Sequence, residues 1–193
     1  SESGSFTSLV RGAWLALLLL VAGCAQLPSR PALPVETAVP VGMGAMAAIL
    51  GLDLASVEAV AAEAAGGEVC EAANENDPAQ VVVSGSRAAV ERAVEIAKAR
   101  GAKGALLLPV SAPFHCALMQ PAADAMAEAL ARIDVRKPVV PVVANVLAQP
   151  IDDPAEIVRR LVEQVTGTVR WRECVETMAA AGVTHFYEVG SGK

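Results

Sequence analysis

Short apolar runs alternate with capped helical segments between residues 45 and 110, and this alternation most constrains the fold of the chain. Residues 46–50 form an apolar run of strand length. Asp53 is an N-cap residue for the segment that follows, and Gly66 and Gly67 end that segment. The apolar residues between them recur at helical spacing: Leu54, Val57, Val60, Ala61 and Ala64. The sequence therefore predicts a strand followed by a helix.

Two strands, a second helix and a last strand are predicted to follow. Residues 69–73 and 80–84 are typical of strands joined by an Asn/Asp/Pro turn. Ser86 can cap a helix that Gly101 stops, and residues 105–110 form the last strand. The inward face of this helix consists of Val90, Ala93, Val94 and Ala97. The order βαββαβ is that of a ferredoxin-like unit, and it predicts the α/β class.

One of the two histidines follows this last strand. Residues 106–110 are typical of a buried strand, and Pro113 favours an extended backbone before His115. Apolar residues then recur at helical spacing: Met119, Ala122, Ala123, Met126, Leu130 and Ile133. His115 is therefore predicted at a strand-to-helix junction, where an α/β enzyme presents a general base. The alternative is a hydrogen-bonded histidine of the core or the surface.

The remaining third of the chain predicts a strand, two helices and a strand. Residues 138–144 form a continuous apolar run, suited to a strand that is covered on both faces. Residues 153–156 form a capping box with proline at the first helical position. A further helix is predicted over 168–182, and a returning strand over 185–189.

Several segments resemble, in the same order, the malonyl-CoA:acyl carrier protein transacylases of fatty acid synthesis. The resemblance begins near residue 38 and reaches the last residue. It is carried by residues 38–49, 74–85, 111–119 (SAPFHCALM), 161–164 and 187–193. It implies a partial α/β-hydrolase-like acyltransferase core with an inserted ferredoxin-like (βαββαβ) subdomain. On this basis, residues 42–110 are the subdomain, 111–193 are the carboxy-terminal part of the core, and 1–37 do not match.

The resemblance also implies a chemistry and the residues that perform it. Malonyl moves from malonyl-CoA to the phosphopantetheine thiol of acyl carrier protein through an acyl-serine, in the cytoplasm and without a cofactor. His115 matches the general base, and Gln164 matches the position whose main-chain carbonyl orients the imidazole. Phe114, just before the histidine, is similar to the residue that malonyl-selective members of the family have at this position. Ser3 is the candidate remnant of the nucleophile, and Arg30 lies one residue out of register with the arginine that binds the malonyl carboxylate. No strand precedes Ser3, so we expect the chain to be incomplete and Ser3 not to react.

Charge and cysteine usage exclude two other classes of protein. The net charge is −6 and no basic patch is present, which argues against a nucleic-acid surface. The four cysteines lack the spacing of a structural zinc site, and we expect no metal. Cys116 follows His115 and offers a Cys/His nucleophile as an alternative, but adjacent residues at a helix start point in different directions.

Residues 11–24 have the outline of a bacterial lipoprotein signal that ends at Cys24. This segment has three possible explanations: a true export signal, a buried hydrophobic helix, or a disrupted reading frame before residue 38. A frame disruption accounts for the likeness of residues 1–10 to the family's nucleophile segment. The second functional hypothesis is an exported lipoprotein with an acyltransferase-like binding body, and only then would a membrane be a partner.

Overall fold

The computed structural model describes residues 39–40 and 42–187, and these have the predicted α/β class. The strands and helices are β1 Gly44–Leu50, α1 Leu54–Ala65, β2 Cys70–Asp77, β3 Gln80–Ser86, α2 Arg87–Ala99, β4 Gly104–Leu107, a short 3-10 helix Ala117–Met119, α3 Gln120–Leu130, β5 Val142–Ala144, β6 Gln149–Ile151, α4 Pro154–Gln164 and α5 Trp171–Ala180. Ser3, Arg30 and the segment 11–24 lie outside the described residues. Within those ranges, no helix is long and apolar enough to cross a membrane.

The first four strands form one antiparallel sheet in the order β2-β3-β1-β4. Ala47 of the central strand lies opposite Val83 on one side and Leu107 on the other. The elements of this sheet follow one another as β, α, β, β, α, β, which is the order predicted from the sequence. The division of the chain into domains at residues 42, 110 and 111 stays a prediction.

Both faces of this sheet are covered. Alternate residues of β1, such as Ala47 and Ile49, pack with the buried sides of α1 and α2. The residues between them, Met46 and Ala48, face the opposite way and contact Phe114 as part of a second cluster. Because side chains alternate along a strand, one strand supports two cores. The loop that carries His115 therefore lies against the face of the sheet that the helices leave open.

The two helices of this unit begin differently. The Asp53 carboxylate accepts a hydrogen bond from Ser56 N at 2.9 Å, and Gly66 ends α1 in the left-handed conformation, both as predicted. Ser86 holds the N-cap position of α2, as predicted, but its side chain makes no capping hydrogen bond. The Arg87 N–H instead donates to the carbonyl of Met43 at 3.0 Å. A main-chain acceptor from the turn before β1 therefore helps to anchor the start of α2.

Strand β2 is longer than the sequence predicts. Asn74 and Asp77 were expected in the turn, whereas the strand reaches Asp77 and the turn is Pro78 and Ala79. Two register shifts against β3 accommodate the polar residues. The outer edge of β2 is also occupied, because Glu75 N donates to the Val169 carbonyl and Val169 N donates to the Ala73 carbonyl, each at 2.8 Å.

Strand β4 is shorter and more exposed than predicted. It ends at Leu107, and the prediction of a buried strand over 106–110 is wrong, since Leu106 is 52% exposed and Val110 is 38% exposed. Among the described strands, β4 pairs only with β1, on the edge of the sheet. An edge strand with one neighbour buries less of each side chain than a central strand does.

Of the two strands predicted in the last third, one is shorter than predicted and the other is not formed by the residues that the structure describes. Only Val142–Ala144 of the run 138–144 is a strand; it pairs with Gln149–Ile151 in a hairpin, and Val139 is 91% exposed. Pro138 and Pro141 have no N–H to donate to a sheet, so the run cannot pair continuously. His185, Phe186 and Tyr187 are not in a strand, and residues 188–189 lie outside the described residues.

Helices α4 and α5 follow the hairpin, and the connection between them is held against the sheet. The Asp153 carboxylate caps α4 through Glu156 N at 2.8 Å, with Pro154 at the first position, as predicted. Helix α5 starts at Trp171 rather than at Thr168. Thr168 is held elsewhere, because its hydroxyl donates to the Ala72 carbonyl of β2 at 2.7 Å. The connection between α4 and α5 is thereby fixed to the four-stranded sheet.

Candidate active site

The loop before His115 is packed directly onto β1. A Cβ atom at Gly44 would lie 2.4 Å from Cγ of Pro113, which is closer than real Cβ contacts come. Glycine is therefore required at the start of β1 for Pro113 to occupy its position. Phe114, the next residue, packs against two buried clusters, one beneath the sheet and one that includes Met119. Contacts on both sides of the Phe114 ring thus hold the chain directly before the histidine.

His115 has an unusual backbone conformation. Its φ is +59°, in the left-handed region that residues other than glycine rarely adopt. Such a conformation costs on the order of 1 to 3 kcal/mol and persists only where surrounding contacts enforce it, often at functional sites. The imidazole that results is half-buried.

One atom of the imidazole has a defined partner. Nδ1 of His115 lies 2.9 Å from the main-chain oxygen of Gln164, 49 residues away. A carbonyl oxygen only accepts, so Nδ1 donates and carries the hydrogen. The neutral ring then has its lone pair on Nε2, and that nitrogen is available to take a proton. The structure therefore brings together the two residues that the sequence proposed as a base and its orienting group.

The carbonyl of Gln164 is free because of its place in α4. Gln164 is the last residue of the helix, and the last turn of a helix leaves main-chain oxygens without partners inside it. This helix end also carries partial negative charge, which favours a cation beside it. The side chain of Gln164 also lies near the ring: its Nε2 donates to the Gly167 carbonyl at 3.0 Å and lies 3.4 Å from Nδ1 of His115.

The pKa of His115 is lower than the ordinary value of 6.5. Burial is the main cause, because it disfavours the charged imidazolium, while the hydrogen bond to the Gln164 carbonyl acts in the opposite direction. The imidazole is thus held in its neutral form at neutral pH. A neutral ring with a free Nε2 is the form that a general base needs.

Cys116 does not have the features of a nucleophile. Its side chain is fully buried, and burial raises the pKa of its thiol. Its Sγ donates to the Pro113 carbonyl at 3.2 Å. The thiolate is the reactive form of cysteine, so this environment opposes the Cys/His alternative.

Among the described residues, no three His, Cys, Asp or Glu side chains gather as a metal site.

Two features of the site were not predicted from the sequence. The carboxylate of Glu71 accepts a hydrogen bond from Ala117 N at 3.0 Å, two residues after the histidine. The guanidinium of Arg172 binds Glu75 on β2, with Nε and Oε1 2.9 Å apart. Both contacts join residues far apart in the chain, and a single glutamate on a strand gives no local signal of such a partner. Ser3 and Arg30, the other candidates, lie outside the described residues, so their roles stay predictions.

Comparisons with known proteins all indicate the same family. The model of the acyl transferase domain matches residues 34–191. The chain is 53% identical over 158 residues to the malonyl CoA-acyl carrier protein transacylase of Escherichia coli (strain K12), which covers 82% of this chain and 51% of that protein. The chain spans about half the length of the curated relatives it matches.

Solved structures give the same result. An acyl-carrier-protein S-malonyltransferase from Bartonella henselae matches with a TM-score of 0.78 and 52% identity, over 82% of this chain and 50% of that one. A malonyl-transacylase solved in complex with a type II PKS acyl-carrier protein matches with a TM-score of 0.75 and 46% identity, over 77% of this chain and 48% of that one.

Proposed function

Because this chain belongs to the acyl transferase domain family, we propose that it carries the general-base part of a malonyl-CoA:acyl carrier protein transacylase site. The observation that carries the proposal is the 2.9 Å contact between Nδ1 of His115 and the main-chain oxygen of Gln164. That contact leaves Nε2 of a neutral imidazole free to accept a proton.

His115 would act twice in the transfer. Nε2 takes the proton of a serine hydroxyl while the serine oxygen attacks the thioester carbon of malonyl-CoA, and the same proton then goes to the coenzyme A sulfur as the C–S bond breaks. In the second half, Nε2 takes the proton of the carrier-protein thiol while its sulfur attacks the acyl-serine. The proton returns to the serine oxygen as the C–O bond breaks. Ser3 is this chain's candidate for the nucleophile.

Gln164 would orient the ring without holding a full charge. In hydrolase triads a carboxylate occupies this position, and it stabilises the imidazolium that forms. A carbonyl at a helix end supplies the same hydrogen bond with only partial negative charge. This difference fits a base whose pKa burial has already lowered.

The substrates determine the remaining parts of the proposal. Malonyl-CoA brings a free carboxylate, which a guanidinium would bind in two parallel hydrogen bonds, and Arg30 is the candidate. The partner would be an acyl carrier protein, the reaction would need no cofactor, and the pathway would be fatty acid synthesis. We therefore expect the protein to act in the cytoplasm, where these substrates occur.

Transfer of radiolabelled malonyl from malonyl-CoA to holo acyl carrier protein tests the proposal. The assay has two arms: this chain alone, and this chain joined to the half of the Escherichia coli relative that it does not match. Replacing His115 with Ala in the active form should slow serine acylation by about two to four orders of magnitude, the contribution expected of a general base. His185→Ala, which removes the exposed second histidine, is the matched control and should keep its rate. Acylation at a near-normal rate in His115→Ala would contradict the proposal.

A further inference from the structure

The turn that begins after His115 has no cap of its own. Cys116 holds the N-cap position of the short helix Ala117–Met119, and its side chain makes no capping hydrogen bond. The thiol is directed instead to the Pro113 carbonyl, at 3.2 Å. The first N–H groups of any helix lack partners within it, so this turn needs an acceptor from elsewhere.

A carboxylate of β2 supplies that acceptor. Oε2 of Glu71 accepts from Ala117 N at 3.0 Å, although the two residues are 46 positions apart. Hydrogen bonds to an ionised acceptor are shorter and stronger than those between neutral groups. Glu71 is otherwise exposed, so its side chain contributes little to the core.

This hydrogen bond lies close to His115, so it bears on the backbone that orients the imidazole. The contact to Gln164 fixes Nδ1 of the ring, but it does not fix the backbone of His115, which has a φ of +59°. On the side of Pro113, the backbone is held by the close approach to Gly44. On the other side, Cys116 is fully buried beside Ser84 of β3, and the residue after it, Ala117, is held by the Glu71 carboxylate.

We propose that Glu71 is a positioning residue for His115: its carboxylate holds the turn after the histidine and thereby keeps the strained backbone in the conformation that points Nδ1 at the Gln164 carbonyl. This inference rests on the proposed function for its role in malonyl transfer, but not for its structural content. The proposed effect of Glu71 is on the geometry of the loop, through its hydrogen bond to Ala117 N.

The ring of His115 in the full 193-residue chain provides a test that needs no activity. Nitrogen-15 NMR of the histidine rings distinguishes the Nδ1–H tautomer from the Nε2–H tautomer, and the exposed His185 serves as an internal reference. In Glu71→Ala we expect the His115 signals to move towards the average of the two tautomers. Glu71→Gln keeps an acceptor oxygen and should restore the wild-type signals. Glu58→Ala removes an exposed carboxylate of α1 and should leave them unchanged.

The same variants are then compared in malonyl transfer, in whichever form of the protein is active. Glu71→Ala should lower kcat about tenfold, the low end of the loss of a hydrogen bond to a charged group, with the KM for malonyl-CoA within about twofold. Glu71→Gln should recover most of that loss. A general loss of stability would not be rescued by the amide.

The outcomes separate this inference from the proposed function. Wild-type tautomer signals in Glu71→Ala, or a failure of Glu71→Gln to restore them, would overturn the role of Glu71. A wild-type protein that transfers no malonyl in either form, while its ring signals depend on Glu71, would contradict the proposed function and leave the positioning role supported.

Discussion

At the scale of the residue, His115 combines a strained backbone with an oriented ring. Its φ is +59°, the residues on each side of it contact other elements, and its Nδ1 is bound to the Gln164 carbonyl. Burial lowers the pKa of the imidazole, so the proton that the ring would take in catalysis is not present beforehand. Strain, orientation and protonation state therefore favour the same function, that of a base with a free Nε2.

The lowered pKa predicts how His115 titrates and how stability depends on pH. A ring titration followed by NMR should give a midpoint below 6.5 for His115. The unfolded chain then binds a proton at this residue over a range of pH in which the folded chain does not. The free energy of unfolding should therefore fall as the pH drops below about 6.5.

The contribution of His115 is isolated by comparison with His115→Gln. The difference in unfolding free energy, wild type minus variant, should become less favourable to the wild type between pH 7.5 and pH 5 in urea denaturation. A difference that stays constant or grows in favour of the wild type as the pH falls would mean that burial does not lower the pKa of this residue.

At the scale of the element, local signals located the helices and non-local pairing decided the strands. Asp53 and Asp153 cap helices where the sequence placed them, because a cap depends on three or four neighbouring residues. The run 138–144 and the end of β4 were predicted as buried strands because they are apolar, but burial of a strand depends on partners elsewhere in the chain. Asn74 was predicted in a turn because polar residues are typical of turns, whereas it pairs along the edge of β2 with Val169.

Strand β1 should be sensitive to the size of its first residue. Gly44→Ala places a methyl group within 2.8 Å of three atoms of the Pro113 ring, which is rigid and buried. Overpacking of this kind costs about 1 to 3 kcal/mol of unfolding free energy and should displace the loop that leads to His115. Gly104→Ala in β4 is the matched control, because its Cβ would lie 3.3 Å from the flexible end of Leu50.

Urea denaturation of both glycine variants, with NMR of the His115 ring, checks this expectation. Gly44→Ala should unfold at a lower urea concentration than Gly104→Ala and should change the ring signals. Equal stability of the two variants with unchanged ring signals would show that the Pro113 loop adapts to the added methyl group.

At the scale of the whole molecule, two parts of the chain form the site, and both of them contact β2. The base comes from the loop beneath the four-stranded sheet, and the orienting carbonyl comes from the end of α4, 49 residues later. Hydropathy and spacing indicated a histidine at a junction, but only the resemblance to a family indicated Gln164. Neither indicated Glu71, because its partner Ala117 lies 46 positions away and only the folded chain brings the two together.

An ion pair between Glu75 and Arg172 joins β2 to α5 at this junction, and the removal of one partner alone should be costly. Oε1 of Glu75 lies 2.8 Å from Nη2 of Arg172, and the side chain of Glu75 is only 4% exposed. Arg172→Ala would leave a buried carboxylate without its cation, a change that costs about 3 to 5 kcal/mol of unfolding free energy. Arg159→Ala removes a guanidinium that is 65% exposed, and it should cost less than about 1 kcal/mol.

A double variant separates the charge from the packing. Glu75→Met with Arg172→Met replaces both partners by apolar side chains, and most of the stability lost in Arg172→Ala should return, because no unpaired charge is then buried. Urea denaturation of the four proteins gives the comparison. The ring signals of His115 should follow stability in this series, since β2 carries both Glu75 and the Glu71 carboxylate that holds the turn after His115. If Arg172→Ala costs no more than Arg159→Ala, the pair is solvated and the junction is held by the hydrogen bonds of Val169 to Ala73 and Glu75 instead.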